Sequence, residues 1–233
     1  MIEEPPALII RRNRPRPTEA QIAAFQGVPT GFVCDALGGG GALDKAIRPI
    51  GEGRDLRCMA AGPALCADNG PGDILATLGA LDEVQPGDIV VAGFGGHQGC
   101  ASAGDRVMGM LRNAGAAGFV SDGPMRDYDG IVAAGLPAWC TGLCPASPFS
   151  TGPGRVGGSV NIGGQSVASG DMIVGDRDGV VVVPFARIDE VIARLAEIIR
   201  LEEQLDAEVA QGLRSFGRLP AMLASGAAVI EDR

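Results

Sequence analysis

The chain has 233 residues, which suits one ordinary domain with an appendage or one large domain. Hydrophobic residues make up 46% of it and charged residues 20%, so a substantial core is expected and global disorder is excluded. The net charge of −9 argues against a nucleic-acid surface, which needs a basic face, and no apolar run is long enough to span a membrane.

The inventory of reactive side chains is short. Lys45 is the only lysine and His97 the only histidine, which excludes a zinc site built from several imidazoles within one chain. A Schiff-base lysine would have to be Lys45, which lies in a glycine-rich turn and not in a dry pocket. Six scattered cysteines favour reduced, buried thiols and a cytoplasmic protein, although Cys140 and Cys144 could share a metal. Carboxylates, arginines, backbone amides and a hard metal ion remain for catalysis.

The N-terminal segment, residues 1–17, carries arginines at positions 11, 12, 14 and 16. Pro15, Pro17 and Thr18 stand where an export signal would need an apolar stretch, so we predict a solvated arm. Thr18 is expected to cap a helix that runs through about residue 26. A second helix over 31–37 should end at the glycine run 38–41.

The middle of the chain alternates between extended and helical patterns. Residues 54–67 indicate extended chain that Gly62 and Pro63 interrupt, and a helix is expected over 72–81. Residues 87–91 and 170–174 each place a Gly-Asp turn before an apolar, mostly β-branched run, which is typical of buried strands.

A helix over 104–113 and a strand over 117–121 follow the first of these runs. Residues 172–175 and 180–183 predict a hairpin in which Asp178-Gly179 supplies positive φ, and turn chemistry explains Asp176 and Asp178 better than a metal site does. An amphipathic helix is expected over 188–209. The irregular alternation favours a mixed α/β sandwich over a strictly doubly wound sheet.

Two segments carry the chemistry. Residues 115–127, G-A-A-G-F-V-S-D-G-P-M-R-D, describe a strand that ends in a turn presenting Arg126 and Asp127, which can together grip a carboxylate and bind a divalent ion. Residues 103–107, A-G-D-R-V, predict a helix that starts at Gly104 and offers free N–H groups to an anion. Asp105 could interact favourably with the helix dipole, or it could orient a metal-bound water. The residues alone do not decide between these two roles.

These segments, with C-D-A-L at 34–37 and G-D-M-I-V-G-D-R-D-G-V-V-V-V-P at 170–184, resemble the RraA-like family over about residues 25–195. That family includes 4-hydroxy-4-methyl-2-oxoglutarate aldolases, which also act on 4-carboxy-4-hydroxy-2-oxoadipate. The resemblance implies a swivelling β/β/α-type sandwich, with a catalytic domain over 18–186 and a C-terminal helical extension over 187–233. It also implies homotrimers or homohexamers with sites between subunits.

The resemblance further assigns roles to single residues. Asp127 would bind Mg²⁺ or Mn²⁺, Arg126 would bind a 2-oxo acid substrate and steady its enolate, and Asp105 would assist. The substrate carboxylate would lie on the backbone of the segment formed by Gly104, Asp105, Arg106 and Val107. A neighbouring chain would contribute carboxylates to metal-bound waters, for which the candidates are Asp35, Glu202 and Glu203.

One departure concerns the substrate. Aldolases of this family carry a lysine near the position of Ser150 and Thr151, and this chain has none there, with Arg155 as a possible replacement. The resemblance implies a divalent-metal-dependent retro-aldol lyase that cleaves a 4-hydroxy-2-oxo dicarboxylic or tricarboxylic acid to pyruvate and a second oxo acid, with oxaloacetate decarboxylation as a side activity. The missing lysine leaves the pyruvyl end of the substrate as expected, while the other end is expected to differ. Two alternatives stay open: a non-catalytic regulator of an RNA-degrading enzyme, and a lyase acting on another small acid. His97 is a loop residue or a proton shuttle.

Overall fold

The computed structural model describes residues 5–231. The chain forms two compact units, residues 1–195 and residues 196–233. The domain boundaries expected from the sequence, after residues 17 and 186, stay predictions.

Seven helices and eleven strands are present in the described part. The helices are α1 Glu19–Ala23, α2 Thr30–Ala36, α3 Leu75–Ala80, α4 Asp105–Asn113, α5 Tyr128–Ala134, α6 Ile188–Ala210 and α7 Arg218–Ala224. The strands are β1 Leu8–Ile10, β2 Arg48–Pro49, β3 Ala60–Asn69, β4 Ile89–Gly93, β5 Gly118–Ser121, β6 Ala138–Cys140, β7 Gly154–Val156, β8 Ser159–Ile162, β9 Gln165–Ala168, β10 Met172–Gly175 and β11 Val180–Val183. Two 3₁₀ turns, Ile50–Gly53 and Phe185–Arg187, complete the elements.

The first unit is built on a mixed sheet whose main path runs β1-β7-β3-β4-β5-β6-β2. Strands β3, β4, β5 and β6 are parallel neighbours, and β4 is buried along its whole length. Such continuous apolar runs form strands because both faces of a central parallel sheet are covered. β10 joins the sheet through antiparallel pairing with β3, and β8 and β9 form a separate hairpin.

The long strand β3 corrects the prediction of an interruption at Gly62 and Pro63. It pairs with β10 up to Pro63 and with β4 from Ala64 onward, so the two residues mark a change of partner in a continuous strand. Gly62 is required there because a Cβ atom would lie 2.1 Å from the Gly87 carbonyl oxygen. The strand begins at Ala60, later than the sequence suggests.

The helix limits are also shorter than predicted. α1 has the expected Thr18 cap, with a capping box completed by Gln21, but it ends at Ala23 ahead of Gly27, whose φ is +75°. α3 begins at Leu75, and the Asp73 carboxylate accepts the Leu75 N–H at 2.8 Å just ahead of the helix. The predicted long C-terminal helix is present as α6.

The β10–β11 hairpin is confirmed, with a different turn. Four residues, 176–179, connect the strands, and of the Asp178-Gly179 pair only Gly179 has positive φ, at +148°. The buried Asp176 carboxylate accepts hydrogen bonds from Thr30 N, Thr30 Oγ1 and Asp178 N at 2.8 to 2.9 Å. These contacts hold the turn and the start of α2, as the turn interpretation of Asp176 predicts.

Within residues 5–17, the N-terminal segment is anchored to the sheet, in contrast to the solvated arm predicted from the sequence; residues 1–4 lie outside the described part. β1 adds to the sheet as a parallel partner of β7, and Arg14 lies 2.7 Å from the Asp88 carboxylate. Asp88 is fully buried, the Arg14 side chain is only 7% exposed, and Arg16 pairs with the other Asp88 oxygen. Arg12 forms an exposed pair with Glu83. The prediction failed because the partners lie about 70 residues away, beyond any local sequence pattern.

Over residues 5–231, no helix has both the length and the apolar character that crossing a bilayer requires. All six cysteines are unpaired, and Cys58, Cys66, Cys100 and Cys140 are buried, as expected for structural thiols.

Candidate active site

The carboxyl ends of β4 and β5 position the candidate site. In sheets of parallel strands, the loops at this edge are the usual place for ligands. Asp122 follows β5 directly, and its carboxylate accepts the Phe94 and Gly96 N–H groups at 2.5 and 2.7 Å. This carboxylate therefore ties the loop after β4 to the loop after β5, which carries Arg126 and Asp127.

Asp127 occupies an unusual backbone conformation at the start of α5. Its φ and ψ angles are 61° and 50°, in the left-handed region, which non-glycine residues rarely adopt. Its carboxylate makes no capping bond to the helix and its side chain is 50% exposed. A backbone conformation of this kind is found often at functional sites, and here it belongs to a half-exposed carboxylate that the helix does not use as a cap.

Arg126 lies beside this carboxylate. Its Nε atom is 3.4 Å from Asp127 Oδ2, and its Nη1 donates to Ser147 Oγ at 2.7 Å. Its backbone N–H donates to the Ala103 carbonyl at 3.1 Å, which joins this turn to the segment before α4. The turn thus presents both side chains together, as predicted.

The N-terminus of α4 meets the same turn. Gly104 caps the helix in an extended conformation without a side-chain bond, and a Cβ atom on it would lie 3.2 Å from Arg126 Cγ. Within the described chain, no hydrogen-bond acceptor contacts the N–H groups of Gly104, Asp105 or Val107. Such free donors at a helix start form an anion site. Asp105 Oδ1 accepts the Arg106 N–H at 2.7 Å.

A cavity of about 580 Å³ brings these residues together. It is lined by Ile74, Leu78, Ala101, Ala103, Gly104, Asp105, Arg106, Val107, Arg126, Asp127, Ser147, Pro148 and Ser150. Every residue assigned to substrate or metal binding within one chain therefore borders one space. Arg126 and Asp127 also border a smaller cavity of about 230 Å³ with Tyr128 and Cys144.

Three carboxylates are expected to act from a neighbouring chain. Asp35 is exposed on α2 and is not among the residues that line the cavity. Glu202 and Glu203 lie on α6 within the second compact unit. Their role across a subunit interface stays a prediction.

Sequence reasoning missed part of the cavity wall. Ser147, Ile74 and Leu78 belong to no motif, and only the three-dimensional contacts reveal them. Asp73 was also missed. Its buried carboxylate accepts from Leu75 N, Thr151 N and Gly152 N at 2.7 to 3.0 Å and fixes the chain beyond Ser150. Burial alone would raise the pKa of Asp73, but these backbone bonds outweigh it and lower the pKa.

Two residues considered from the sequence do not line the cavity. His97 packs edge-on against Phe94, with ring centroids 5.6 Å apart. Arg155 borders a different cavity, of about 290 Å³, with Arg11 and Asp68, so it does not replace the missing lysine. The reason is that Arg155 lies on β7, opposite Asp68 of β3.

The oxygen ligands that the cavity offers suit a hard cation that the protein binds weakly. No group of three or more His, Cys, Asp or Glu side chains in residues 5–231 could enclose a metal ion. The half-exposed Asp127 carboxylate, which borders the same cavity as Asp105, nevertheless offers the oxygen ligands that Mg²⁺ prefers. Mg²⁺ commonly takes one or two carboxylates and completes its shell with water and substrate.

Comparison with known proteins supports the predicted family. A family model described as RraA-like, Aldolase/RraA, matches residues 30–182. A protein of Halalkalibacterium halodurans named "Putative 4-hydroxy-4-methyl-2-oxoglutarate aldolase" is 38% identical over 173 residues, covering 74% of this chain and 80% of that protein. An Arabidopsis thaliana protein named "Putative 4-hydroxy-4-methyl-2-oxoglutarate aldolase 2" is 30% identical over 66% of this chain and 94% of its own length.

The fold is likewise similar to solved structures. Streptomyces coelicolor RraAS2, described as an unusual member of the RNase ES inhibitor RraA protein family, superposes with a TM-score of 0.72. It is 29% identical, and the match covers 83% of this chain and 100% of that one. The mixed α/β fold with a long C-terminal helix is thus the predicted one. From the matched family model and the identity to the relatives, the chain belongs to the RraA-like family.

Proposed function

We propose that the protein is a divalent-metal-dependent lyase that cleaves a 4-hydroxy-2-oxo acid into pyruvate and a second carbonyl compound. The observation that carries this proposal is the single cavity that holds a free helix N-terminus, Arg126 and the Asp127 carboxylate. The similarity to proteins named as aldolases of 4-hydroxy-4-methyl-2-oxoglutarate, a dicarboxylic member of this substrate class, supports it.

Different groups of the chain bind different parts of the substrate. The free N–H groups of Gly104, Asp105 and Val107 bind the carboxylate next to the keto group, with Arg106 beside them. Arg126 places its guanidinium where negative charge develops on the keto oxygen, and Ser147 holds it in position. The charge stabilisation that Arg126 provides is preorganised, which makes it the largest expected contribution of the protein.

Asp127 would hold Mg²⁺ or Mn²⁺, and a bound ion of this kind supplies Lewis-acid polarisation of the 2-oxo acid. Asp105 accepts the proton of the 4-hydroxyl group, and the C3–C4 bond then breaks, leaving its electron pair on the pyruvate enolate. Oxaloacetate decarboxylation forms the same enolate and is the expected side activity. Neighbouring subunits of a homotrimer or homohexamer would add Asp35, Glu202 or Glu203 around the ion.

The proposal is tested by coupling pyruvate release to lactate dehydrogenase. We expect release from 4-hydroxy-2-oxo acids and from oxaloacetate in the presence of Mg²⁺. Excess EDTA and Asp127→Ala should each abolish it, and added Mg²⁺ should restore activity only in the first case. Full activity under EDTA or in the variant would contradict the scheme.

A second candidate is a non-catalytic regulator of an RNA-degrading enzyme. The similarity to a protein described as a member of an RNase inhibitor family favours it. An absence of pyruvate release, together with inhibition of ribonuclease activity, would select this candidate over the lyase. The cytoplasmic location expected from the sequence stays a prediction.

A further inference from the structure

The cavity around Arg126 has two chemically different parts. Its charged residues, Asp105, Arg106, Arg126 and Asp127, come from the starts of α4 and α5. The remaining lining carries no charge; apart from Ala101, Ala103 and the two α4 residues Gly104 and Val107, it consists of Ile74, Leu78, Ser147, Pro148 and Ser150. A substrate whose reacting end binds the charged part therefore extends its other end along uncharged side chains.

Backbone hydrogen bonds join the members of this uncharged wall. Phe149 N donates to the Gly72 carbonyl at 2.8 Å, and Ile74 N donates to the Phe149 carbonyl at 2.9 Å. Segment 147–150 is thereby fixed against residues 72–74. Fixed backbone segments therefore form the wall, and it does not require a loop to close over the ligand.

A fixed negative charge lies behind the wall. Asp73 is only 7% exposed, and its carboxylate accepts the Thr151 N–H at 2.7 Å and the Thr151 hydroxyl at 3.3 Å. The Thr151 hydroxyl is therefore already engaged. An anionic group placed beside Ile74 and Ser150 would meet no cationic side chain among Ile74, Leu78, Pro148 and Ser150, and would be repelled by the Asp73 carboxylate.

We propose that the preferred substrate is a 4-hydroxy-2-oxo monocarboxylic acid with a short uncharged alkyl group at C4. This inference rests on the proposed lyase function and names the substrate class of the same site. The reaction breaks the C3–C4 bond, leaves its electron pair on the pyruvate enolate, and releases an aliphatic aldehyde after the 4-hydroxyl proton departs. Solvent then protonates C3 to give pyruvate, so no further reactant is consumed.

The alkyl group would pack on Ile74 and Leu78, both half-buried in the free cavity. Burying each additional methylene raises kcat/KM by about fourfold. An isopropyl group at C4 should therefore be favoured by roughly fifteenfold over a methyl group.

The test compares three substrates that share the pyruvyl end, with pyruvate release measured in the presence of Mg²⁺. 4-Hydroxy-2-oxopentanoate carries methyl at C4, 4-hydroxy-5-methyl-2-oxohexanoate carries isopropyl, and 4-hydroxy-2-oxoglutarate carries a carboxylate of similar shape. We expect kcat/KM for the isopropyl compound to exceed that for the carboxylate compound by at least about tenfold. Equal values, or a preference for the carboxylate, would overturn the inference and leave the lyase function intact. Lack of pyruvate from all three and from oxaloacetate would instead refute the lyase function.

A pair of variants tests the wall directly. Ser150 is exposed, so Ser150→Lys can place a cation there without disturbing the core, and Ser166→Lys, at an exposed position of β9 that does not line this cavity, serves as its control. We expect Ser150→Lys to raise kcat/KM for 4-hydroxy-2-oxoglutarate about tenfold relative to the isopropyl compound, and Ser166→Lys to leave the ratio unchanged. An unchanged ratio in Ser150→Lys, with unaltered thermal unfolding, would show that the far end of the substrate lies elsewhere.

Discussion

Gly104 and Asp127 approach so closely that a methyl group on Gly104 would lie 2.9 Å from Asp127 Oδ2. The glycine has φ of −143°, a conformation open to any residue, so backbone strain does not explain its presence. The close contact between position 104 and Asp127 explains the glycine instead. The start of α4 and the Asp127 carboxylate can share one ligand only because the position between them has no side chain.

Gly104→Ala should therefore lower kcat/KM for pyruvate release about a hundredfold, because the new methyl group displaces Asp127 and Arg126. Its effect on stability should be about 1 kcal/mol or less. Gly109→Ala in the same helix is the matched control, since an added Cβ there has no neighbour within 4 Å. That control should keep full activity and gain about 0.5–1 kcal/mol of stability. Similar activities in the two variants would contradict this role for Gly104.

Asp127→Asn removes the negative charge of the side chain and keeps the backbone conformation. Asparagine tolerates the left-handed region, so the unfolding free energy should stay within about 0.5 kcal/mol of the native value. Loss of the negative charge should reduce pyruvate release more than about a hundredfold and abolish thermal stabilisation by Mg²⁺. Asp127→Ala should show the same loss of activity and an additional cost of about 1 kcal/mol. Calorimetry with and without Mg²⁺ checks both statements, and Mg²⁺ stabilisation of the Asn variant would count against the metal assignment.

Asp73 should make the free energy of unfolding depend on pH in the acid range. Its pKa is lowered in the folded protein, so it contributes stability that is fully present above its unfolded pKa and is lost as pH falls through the folded value. Asp73→Asn should therefore cost about 2 kcal/mol at neutral pH. The difference between the two proteins should shrink below about pH 4, the ordinary range of an aspartate. Urea unfolding at a series of pH values measures it, and a difference that is constant with pH would exclude this explanation.

The Arg14–Asp88 pair should matter far more than the Arg12–Glu83 pair. Asp88 is fully buried between two arginines, so Asp88→Asn leaves buried positive charge uncompensated and should cost about 3 kcal/mol. Glu83→Gln faces an arginine that is 80% exposed, so water screens the pair and the substitution should cost far less than Asp88→Asn. Thermal unfolding of both variants checks the comparison. Equal costs would mean that burial does not decide the strength of these pairs.

Local patterns were sufficient for some elements and for the turn that presents Arg126 and Asp127 together. Buried strands such as β4 and β10 follow directly from apolar runs after Gly-Asp turns. Gly104 and Asp127 each lie next to the start of a helix, α4 and α5, in short segments whose residues indicate a turn. The left-handed conformation of Asp127 could not be foreseen, because several residue types satisfy the same turn signal.

Features that depend on distant partners were missed. Arg14 and Asp88 are separated by 74 positions, and Ser147 reaches Arg126 from a segment without regular structure. The change of partner along β3 also depends on β10, more than 100 residues later in the chain. These contacts arise from packing of the whole sheet, which no local window of sequence contains.

The position of β1 has a practical consequence. This short strand covers the outer side of β7, which pairs with β3 on its other side. A shortened chain beginning at Thr18, where the sequence suggested that the domain starts, would leave the β7 backbone groups open to strands of other molecules. Such a protein would aggregate during expression even though every residue of the cavity had been kept.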